Sequence, residues 1–215
     1  MKDNLINEFD SLLKISKNII IIPHKNPDGD ALGSSLALNF FLTKKGHNSL
    51  VISPNEYPSF LNWLPGQSKI INFSLNQKKG ISLINKADLI LTLDFNDLSR
   101  TGEMESLLNS IKVPFIMIDH HENPKSYADI TFSEPQISST SEMIYNIISK
   151  LDHTIIDAKI ATCLYTGMMT DTGSFRFPST TSNTYLIASK LIDFGANHSK
   201  IHEKIYDNYT FDRIR

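Results

Sequence analysis

The residues of this chain best suited to chemistry include a compact set of acidic and imidazole side chains near the N-terminus. Residues 24–34 read HKNPDGDALGS and contain His24, Asp28 and Asp30. The proline and glycine between them are typical of a tight turn, because proline presets φ and glycine adopts conformations that other residues resist. A turn that holds two carboxylates together favours a cation between them, which relieves their repulsion. A solvated Asp-Gly turn is the alternative for this segment alone.

Acidic and imidazole side chains also follow two later apolar runs. The run LILTL precedes Asp94, and the run VPFIMI precedes Asp119, His120 and His121. The carboxyl ends of parallel strands lie along one crevice, where ligands bind, so we expect these side chains to converge. Asp171 lies at the end of the apolar stripe of a predicted helix, where an inward carboxylate needs a partner because an unpaired buried charge is costly.

The elements that must position these residues alternate between strands and helices. Apolar runs predict strands at 18–23, 48–53, 88–94, 113–118 and 129–133. Helical spacing predicts helices at 3–16, 31–45, 76–87, 97–110, 141–151, 157–170, 182–194 and 199–209. This alternation predicts an α/β fold with a doubly wound, mainly parallel sheet and helices on both faces. With no internal repeat or low-complexity linker, we expect residues 1–215 to form one domain.

Composition limits the classes of partner and location. The chain has 215 residues, of which 40% are hydrophobic and 20% charged, with a formal net charge of −2. Proteins that coat long nucleic acid usually have a strong basic excess, so that class is disfavoured. Cys163 is the single cysteine, which excludes an internal disulfide. Neither a secretory signal nor an apolar run of the roughly 20 residues needed to cross a membrane is present, so we expect a cytoplasmic protein.

The candidate metal ligands are four carboxylates and two imidazoles, namely His24, Asp28, Asp30, Asp94, His120 and Asp171. They are too many for one ordinary site and suit two cations that share a bridging carboxylate. Oxygen donors with some imidazole and no thiolate favour manganese or magnesium over structural zinc. Two divalent ions about 3.5–4 Å apart are the usual arrangement for in-line attack on phosphorus.

The segments that contain these residues resemble, in order, the four motifs of the DHH phosphoesterase superfamily. The matching segments are 24–34, Asp94, 119–121 and 171–173. The chain is most similar to the group that contains nanoRNases and phosphatases of 3′-phosphoadenosine 5′-phosphate (pAp), and the similarity covers nearly all of it. The resemblance implies a DHH-type domain that hydrolyses short oligonucleotides, pAp or both.

The resemblance also implies how the ligands are shared between two metals. The ligands of one metal would be Asp30, Asp94, His120 and Asp171. The ligands of the other would be His24, Asp28 and again Asp94. His121 would face the phosphate or the leaving oxygen, and Asp119 would orient a neighbouring imidazole.

Members of this group usually carry a second, smaller C-terminal lobe with a glycine-rich, histidine-containing motif that grips the substrate. No segment of this chain resembles that motif, so we expect the lobe to be absent from it. A fragment that ends near the interdomain linker and a natural short form are the two interpretations.

Two further residues are candidates for substrate binding. Arg100 follows the Asp94 strand, where it could clamp a phosphate, and an ion pair on the following helix is the alternative. Ser138 begins a run of hydroxyl residues that could present hydroxyl and amide groups to an anion. An ordinary helix cap is the alternative for that run.

The function expected from these features is the metal-dependent removal of a terminal nucleotide or phosphate from a short nucleotide substrate. The expected partners are therefore single-stranded oligonucleotides or phosphorylated nucleotides, not a membrane. An inorganic pyrophosphatase and a cyclic-dinucleotide phosphodiesterase of the same superfamily are the enzymatic alternatives. A non-catalytic nucleotide-binding domain is the alternative from another class, although a pure binder has no need of a two-metal site. A monomer and a homodimer both stay open.

Overall fold

A computed structural model describes residues 3–207, in which six strands form one parallel sheet. The strands are β1 (Asn18–Pro23), β2 (Asn48–Ser53), β3 (Ile71–Asn72), β4 (Leu89–Leu93), β5 (Phe115–Asp119) and β6 (Ile130–Ser133). Their spatial order is β3-β2-β1-β4-β5-β6. The chain therefore builds outwards from β1 on one side, crosses over and continues outwards from β4. This order is that of a doubly wound sheet, with its switch point between β1 and β4.

Residues 3–207 also contain eight α-helices. They are α1 (Asp3–Ile15), α2 (Gly29–Lys44), α3 (Gln77–Ile84), α4 (Glu105–Ser110), α5 (Thr140–Asp152), α6 (Ala158–Asp171), α7 (Ser182–Asp193) and α8 (His198–His202). Within this part of the chain, no helix combines the length and apolar character that spanning a membrane requires. The predicted α/β class, parallel sheet and helix–strand alternation are confirmed.

The isoleucine run of β1 is buried on both faces of the sheet. Ile19 and Ile21 belong to the larger core with α1, α2, α5, α6 and α7, and Ile20 and Ile22 to a smaller core with α3 and α4. Successive strand side chains point to opposite faces, so a strand that is covered on both faces needs an unbroken apolar sequence. The helices therefore lie on both faces, as predicted.

Helices α2 and α6 pack closely because a glycine of α2 faces the backbone of α6. A Cβ atom added to Gly33 would lie only 2.5 Å from the carbonyl oxygen of Cys163. This approach aligns the two helices so that the N-terminus of α2 lies beside the C-terminus of α6. As a result, Asp30 at the start of α2 and Asp171 at the end of α6 belong to one group of potential ligands.

Three segments differ from the sequence-based prediction. The single helix predicted over 97–110 is a 3₁₀ segment, Leu98–Met104, followed by α4, because Gly102 has a φ of +61° and interrupts the helical backbone. The final helix predicted over 199–209 is α8 followed by a π-helical turn that ends at Asp207, and positions 208–209 lie outside the described residues. The edge strand β3 was not predicted, because its two residues are too few to form a pattern.

Candidate metal centre

The candidate site lies at the carboxyl edge of the three central strands. His24 follows β1, Asp94 follows β4, and His120 follows Asp119, the last residue of β5. Asp171 ends α6 and approaches the same crevice from the side. The site therefore occupies the switch point of the sheet, where ligands bind in open α/β folds.

Asp94 occupies the centre of the site and faces three imidazoles. Its Oδ2 lies 3.6 Å from Nε2 of His24, and its Oδ1 lies 3.6 Å from Nε2 of His120 and 4.0 Å from Nδ1 of His121. The residue is 2% exposed, its φ is +67°, and its amide donates to the carbonyl of Ile118 at 3.0 Å. The left-handed backbone conformation is unfavourable for a residue with a Cβ and directs this carboxylate into the crevice. One carboxylate oxygen thus faces His24, and the other faces His120.

The potential ligand atoms form three overlapping groups, each with all atoms within 4.8 Å of one another. The groups are His24, Asp28 and Asp94; Asp30, His120 and Asp171; and Asp94, His120 and His121. Within them, Nε2 of His24 is 3.9 Å from Oδ2 of Asp28, and Nε2 of His120 is 3.4 Å from Oδ2 of Asp171. These separations exceed hydrogen-bond length. They suit atoms that each bind one ion at about 2.0–2.2 Å.

The carboxylates of the site repel one another and are shielded from water. Burial, together with the negative charges of Asp94 and Asp171, raises the pKa of Asp30 well above its ordinary value. Burial raises the pKa of Asp171 to about 6, although the neighbouring His120 acts in the opposite direction. Burial also acts to raise the pKa of Asp94, but the imidazoles of His24 and His120 outweigh it and lower that pKa. A divalent cation would offset this accumulated negative charge, so the donor set fits such an ion.

Backbone carbonyls select the tautomers of two imidazoles. Nδ1 of His24 lies 2.8 Å from the carbonyl oxygen of Lys25, and Nδ1 of His120 lies 3.3 Å from that of Ile137. A carbonyl oxygen can only accept, so Nδ1 carries the proton in each ring and Nε2 has a free lone pair when the ring is neutral. In both residues this Nε2 faces the carboxylates. Such an arrangement is that of a metal-binding imidazole with its second nitrogen anchored.

His121 is anchored by a buried carboxylate. Its Nδ1 donates to Oδ1 of Asp119 at 2.7 Å, and its backbone amide donates to Oδ2 of the same residue at 3.1 Å. Asp119 is fully buried, whereas the side chain of His121 is 43% exposed. The hydrogen bond from the ring to Asp119 raises the pKa of His121. Asp119 therefore orients the neighbouring imidazole, and Nε2 of His121 is the ring nitrogen that does not contact Asp119.

Asp28 has two functions at the start of α2. Its Oδ1 accepts hydrogen bonds from the amides of Asp30 and Ala31, each at 3.0 Å, and so caps the helix. Its Oδ2 stays on the side of His24. The cap fixes the carboxylate, which leaves one oxygen in place for an ion.

The start of α5 contributes contacts that the sequence did not reveal. The amides of Thr140 and Ser141 donate to Oδ2 and Oδ1 of Asp30 at 2.7 and 2.9 Å, and the Thr140 hydroxyl donates to Oδ1 of Asp94 at 2.9 Å. Ser139 is the N-cap of this helix. The run of hydroxyl residues in the sequence predicts the start of a helix. It does not predict which carboxylates accept hydrogen bonds from that start.

Ser138, the candidate for substrate binding, has another partner. Its side chain is buried, and its hydroxyl donates to Oε2 of Glu142 at 2.5 Å. The hydroxyl proton is therefore not available to an anion in the crevice. The hydroxyl run acts as a helix cap through Ser139, which was the alternative interpretation.

Arg100 lies beside the crevice. It is exposed, and its carbonyl accepts a hydrogen bond from the amide of Lys25, the residue that follows His24, at 2.7 Å. Its positive charge opposes the rise in the pKa of His121 that Asp119 causes, so the guanidinium is near enough to this imidazole to interact with it.

Comparison with known proteins places this site in a family context. An exopolyphosphatase-related protein from Bacteroides fragilis, of known crystal structure, has a TM-score of 0.97 and is 40% identical, over 100% of this chain and 63% of that one. The probable bifunctional oligoribonuclease and PAP phosphatase NrnA of Streptococcus mutans is 30% identical over 182 residues, which are 85% of this chain and 54% of the relative. The cyclic-di-AMP phosphodiesterase GdpP of Bacillus subtilis is 29% identical over 191 residues, 85% of this chain and 28% of the relative.

This chain spans little more than half of the Streptococcus mutans relative and less than a third of the Bacillus subtilis relative. The names of these relatives therefore describe longer proteins with additional regions. A family model also matches the greater part of this chain. Residues 18–168 match the N-terminal domain of the DHH family, and this range contains five of the six candidate ligands, all except Asp171. The motif order had predicted this relationship, and the protein belongs to the DHH family.

Proposed function

We propose that this protein is a metal-dependent phosphohydrolase that acts on short single-stranded oligonucleotides, on pAp or on both. The observation that carries the proposal is the convergence of five potential ligands on the buried carboxylate of Asp94, namely His24, Asp28, Asp30, His120 and Asp171. The orientation of His24 and His120, each with Nε2 towards the carboxylates, supports it. So does the name of the relative from Streptococcus mutans.

The donor set favours two divalent cations, with Mn²⁺ preferred and Mg²⁺ as the alternative, because it combines carboxylate oxygens with imidazoles. His24, Asp28 and Asp94 would hold one ion. The ligands of the other would be Asp30, Asp94, His120 and Asp171. When bound, such a pair supplies an activated water and neutralises the charge of a phosphate.

The residues of the chain itself would orient the phosphate and move a proton. Arg100 would bind a phosphate oxygen, and a guanidinium can do so with two parallel hydrogen bonds. His121 would donate a proton from Nε2 to the leaving oxygen, since its Nδ1 proton is held by Asp119. The raised pKa of His121 keeps more of the ring protonated near neutral pH, which favours this role.

The two enzymatic alternatives use the same residues. A cyclic-dinucleotide phosphodiesterase has support from the name of the Bacillus subtilis relative, and an inorganic pyrophosphatase needs no nucleoside contact. We favour the oligonucleotide and pAp substrates because the relative named as a probable oligoribonuclease and PAP phosphatase is matched over 54% of its length, against 28% for the phosphodiesterase. The cytoplasmic location and the choice between monomer and homodimer stay predictions.

A product assay separates these substrates. The 215-residue chain would be incubated with manganese and with pAp, a dinucleotide, a cyclic dinucleotide or pyrophosphate, and the products resolved by ion-exchange chromatography. Phosphate from pAp or mononucleotides from the dinucleotide are expected. Turnover of pyrophosphate alone, or of the cyclic dinucleotide alone, would replace the proposal with the corresponding alternative. Nucleotide binding without turnover by the manganese-loaded chain would identify a non-catalytic domain.

A further inference from the structure

We propose that Thr140, the first residue of α5, is a positioning residue for the metal centre. Thr140 is fully buried and contacts two of the candidate ligands with two different atoms. Its amide donates to Oδ2 of Asp30 at 2.7 Å, and its hydroxyl donates to Oδ1 of Asp94 at 2.9 Å. This inference rests on the proposed function, because that proposal makes Asp30 and Asp94 ligands.

The hydroxyl of Thr140 selects one orientation of the Asp94 carboxylate. The terminal torsion of an aspartate has broad minima, so the backbone alone does not fix the plane of its oxygens. With the hydroxyl bonded to Oδ1, this oxygen faces His120 and Oδ2 faces His24. An ionised carboxylate only accepts, and the hydroxyl is therefore the donor of a charge-assisted bond. The bond holds Asp94 in the orientation that a ligand shared by two ions requires.

The start of α5 is itself anchored, so that the hydroxyl keeps its place. Ser139 caps the helix, because its hydroxyl oxygen accepts a hydrogen bond from the amide of Glu142 at 3.0 Å. The buried carboxylate of Glu142 accepts hydrogen bonds from the hydroxyl of Thr184 and the amide group of Asn183, both in α7 and both at 2.9 Å. Helix α7 thus fixes the turn that carries Thr140. Loss of the hydroxyl would free the carboxylate of Asp94 without moving the helix.

The substitution Thr140→Val removes the hydroxyl and keeps the shape and the backbone amide. Substitutions next to metal ligands typically lower metal affinity or activity about 10- to 100-fold, and we expect T140V to weaken manganese binding by that factor. Thr140→Ser retains the hydroxyl and should bind manganese like the wild type. Thr166→Val is the matched control, because Thr166 is also fully buried but its hydroxyl donates to the carbonyl of Thr162 within α6.

The test is titration calorimetry of each metal-free variant with manganese, together with thermal unfolding of the same samples. Weaker binding by T140V alone supports the inference. Wild-type affinity in T140V, equal losses in T140V and T140S, or an equal loss in T166V would each overturn it. If T140V does not fold, Thr140→Ala is compared with T140S instead, since only the serine keeps the hydroxyl. A wild-type chain that binds no manganese would refute the metal centre itself, which is a separate outcome from a change confined to T140V.

Discussion

His24 and Asp94 meet at the switch point of the sheet, with Nε2 of the histidine 3.6 Å from Oδ2 of the aspartate. They follow β1 and β4, the neighbouring strands at which the chain changes its direction of growth. The separation is longer than a hydrogen bond, and both side chains are buried. Two atoms that bind the same ion lie close to each other without a direct hydrogen bond between them, and these two atoms meet that requirement. Asp94 is therefore the residue whose substitution should disturb both proposed metal sites.

Asp94→Asn should reduce turnover far more than Arg100→Ala. An amide in place of the central carboxylate removes a negative charge from both proposed metal sites, whereas Arg100→Ala removes at most a phosphate contact. Such a charged hydrogen bond is worth about 1.5–3 kcal/mol, or about 10- to 150-fold in rate. Elemental analysis and steady-state kinetics of the two variants make the comparison. Two bound metals and near-normal turnover in Asp94→Asn would show that Asp94 does not bridge the ions.

Removal of metal should abolish activity reversibly. Once the cations are withdrawn, the carboxylates among the six candidate ligands would repel the phosphate. Dialysis against chelator followed by addition of manganese, magnesium or calcium, with phosphate release as the readout, tests this expectation. Manganese should restore most of the turnover. Full turnover in the chelator-treated protein would refute the metal requirement.

The elements that carry the ligands could be predicted because each has its own local pattern. The unbroken isoleucine run of β1 indicates a strand that is buried on both faces. The convergence of the acidic and imidazole residues after β1, β4 and β5 follows from the parallel topology, which brings the carboxyl ends of these strands together. The contacts of Thr140 with Asp30 and Asp94 could not be predicted, since they join segments that are distant in sequence. The hydrogen-bond partner of Ser138 could not be predicted from the sequence either. The sequence suggested that its hydroxyl could bind an anion, but in the structure this hydroxyl donates a hydrogen bond to Glu142.

Gly33→Ala should destabilise the protein by forcing α2 away from α6. The new Cβ would lie 2.5 Å from the carbonyl oxygen of Cys163, a backbone atom that cannot rotate away. Overpacking of this kind costs about 1–3 kcal/mol, and we expect a lower melting temperature with weaker manganese binding, because Asp30 and Asp171 lie on the two helices.

A matched control for Gly33→Ala lies two residues further along α2. The buried hydroxyl of Ser35 has no hydrogen-bond partner among the described residues, so Ser35→Ala should be neutral or stabilising. Thermal unfolding of both variants, followed by circular dichroism, provides the measurement. Equal melting temperatures for Gly33→Ala and the wild type would mean that the helices can separate at no cost.

Manganese affinity should fall as the pH is lowered through about 6. Burial raises the pKa of Asp171 in the metal-free protein to about 6, so below that pH the carboxylate holds a proton that a metal must displace. Above it, Asp171 is ionised and the affinity no longer depends on this group. For one displaced proton the loss is about tenfold per pH unit below the pKa. Titration calorimetry at pH 5, 6, 7 and 8, repeated in two buffers of different ionisation enthalpy, measures both the affinity and the proton release. Asp171→Asn should bind more weakly at pH 8 and lose this part of the pH dependence, whereas an unchanged pH profile in that variant would assign the titration to another group.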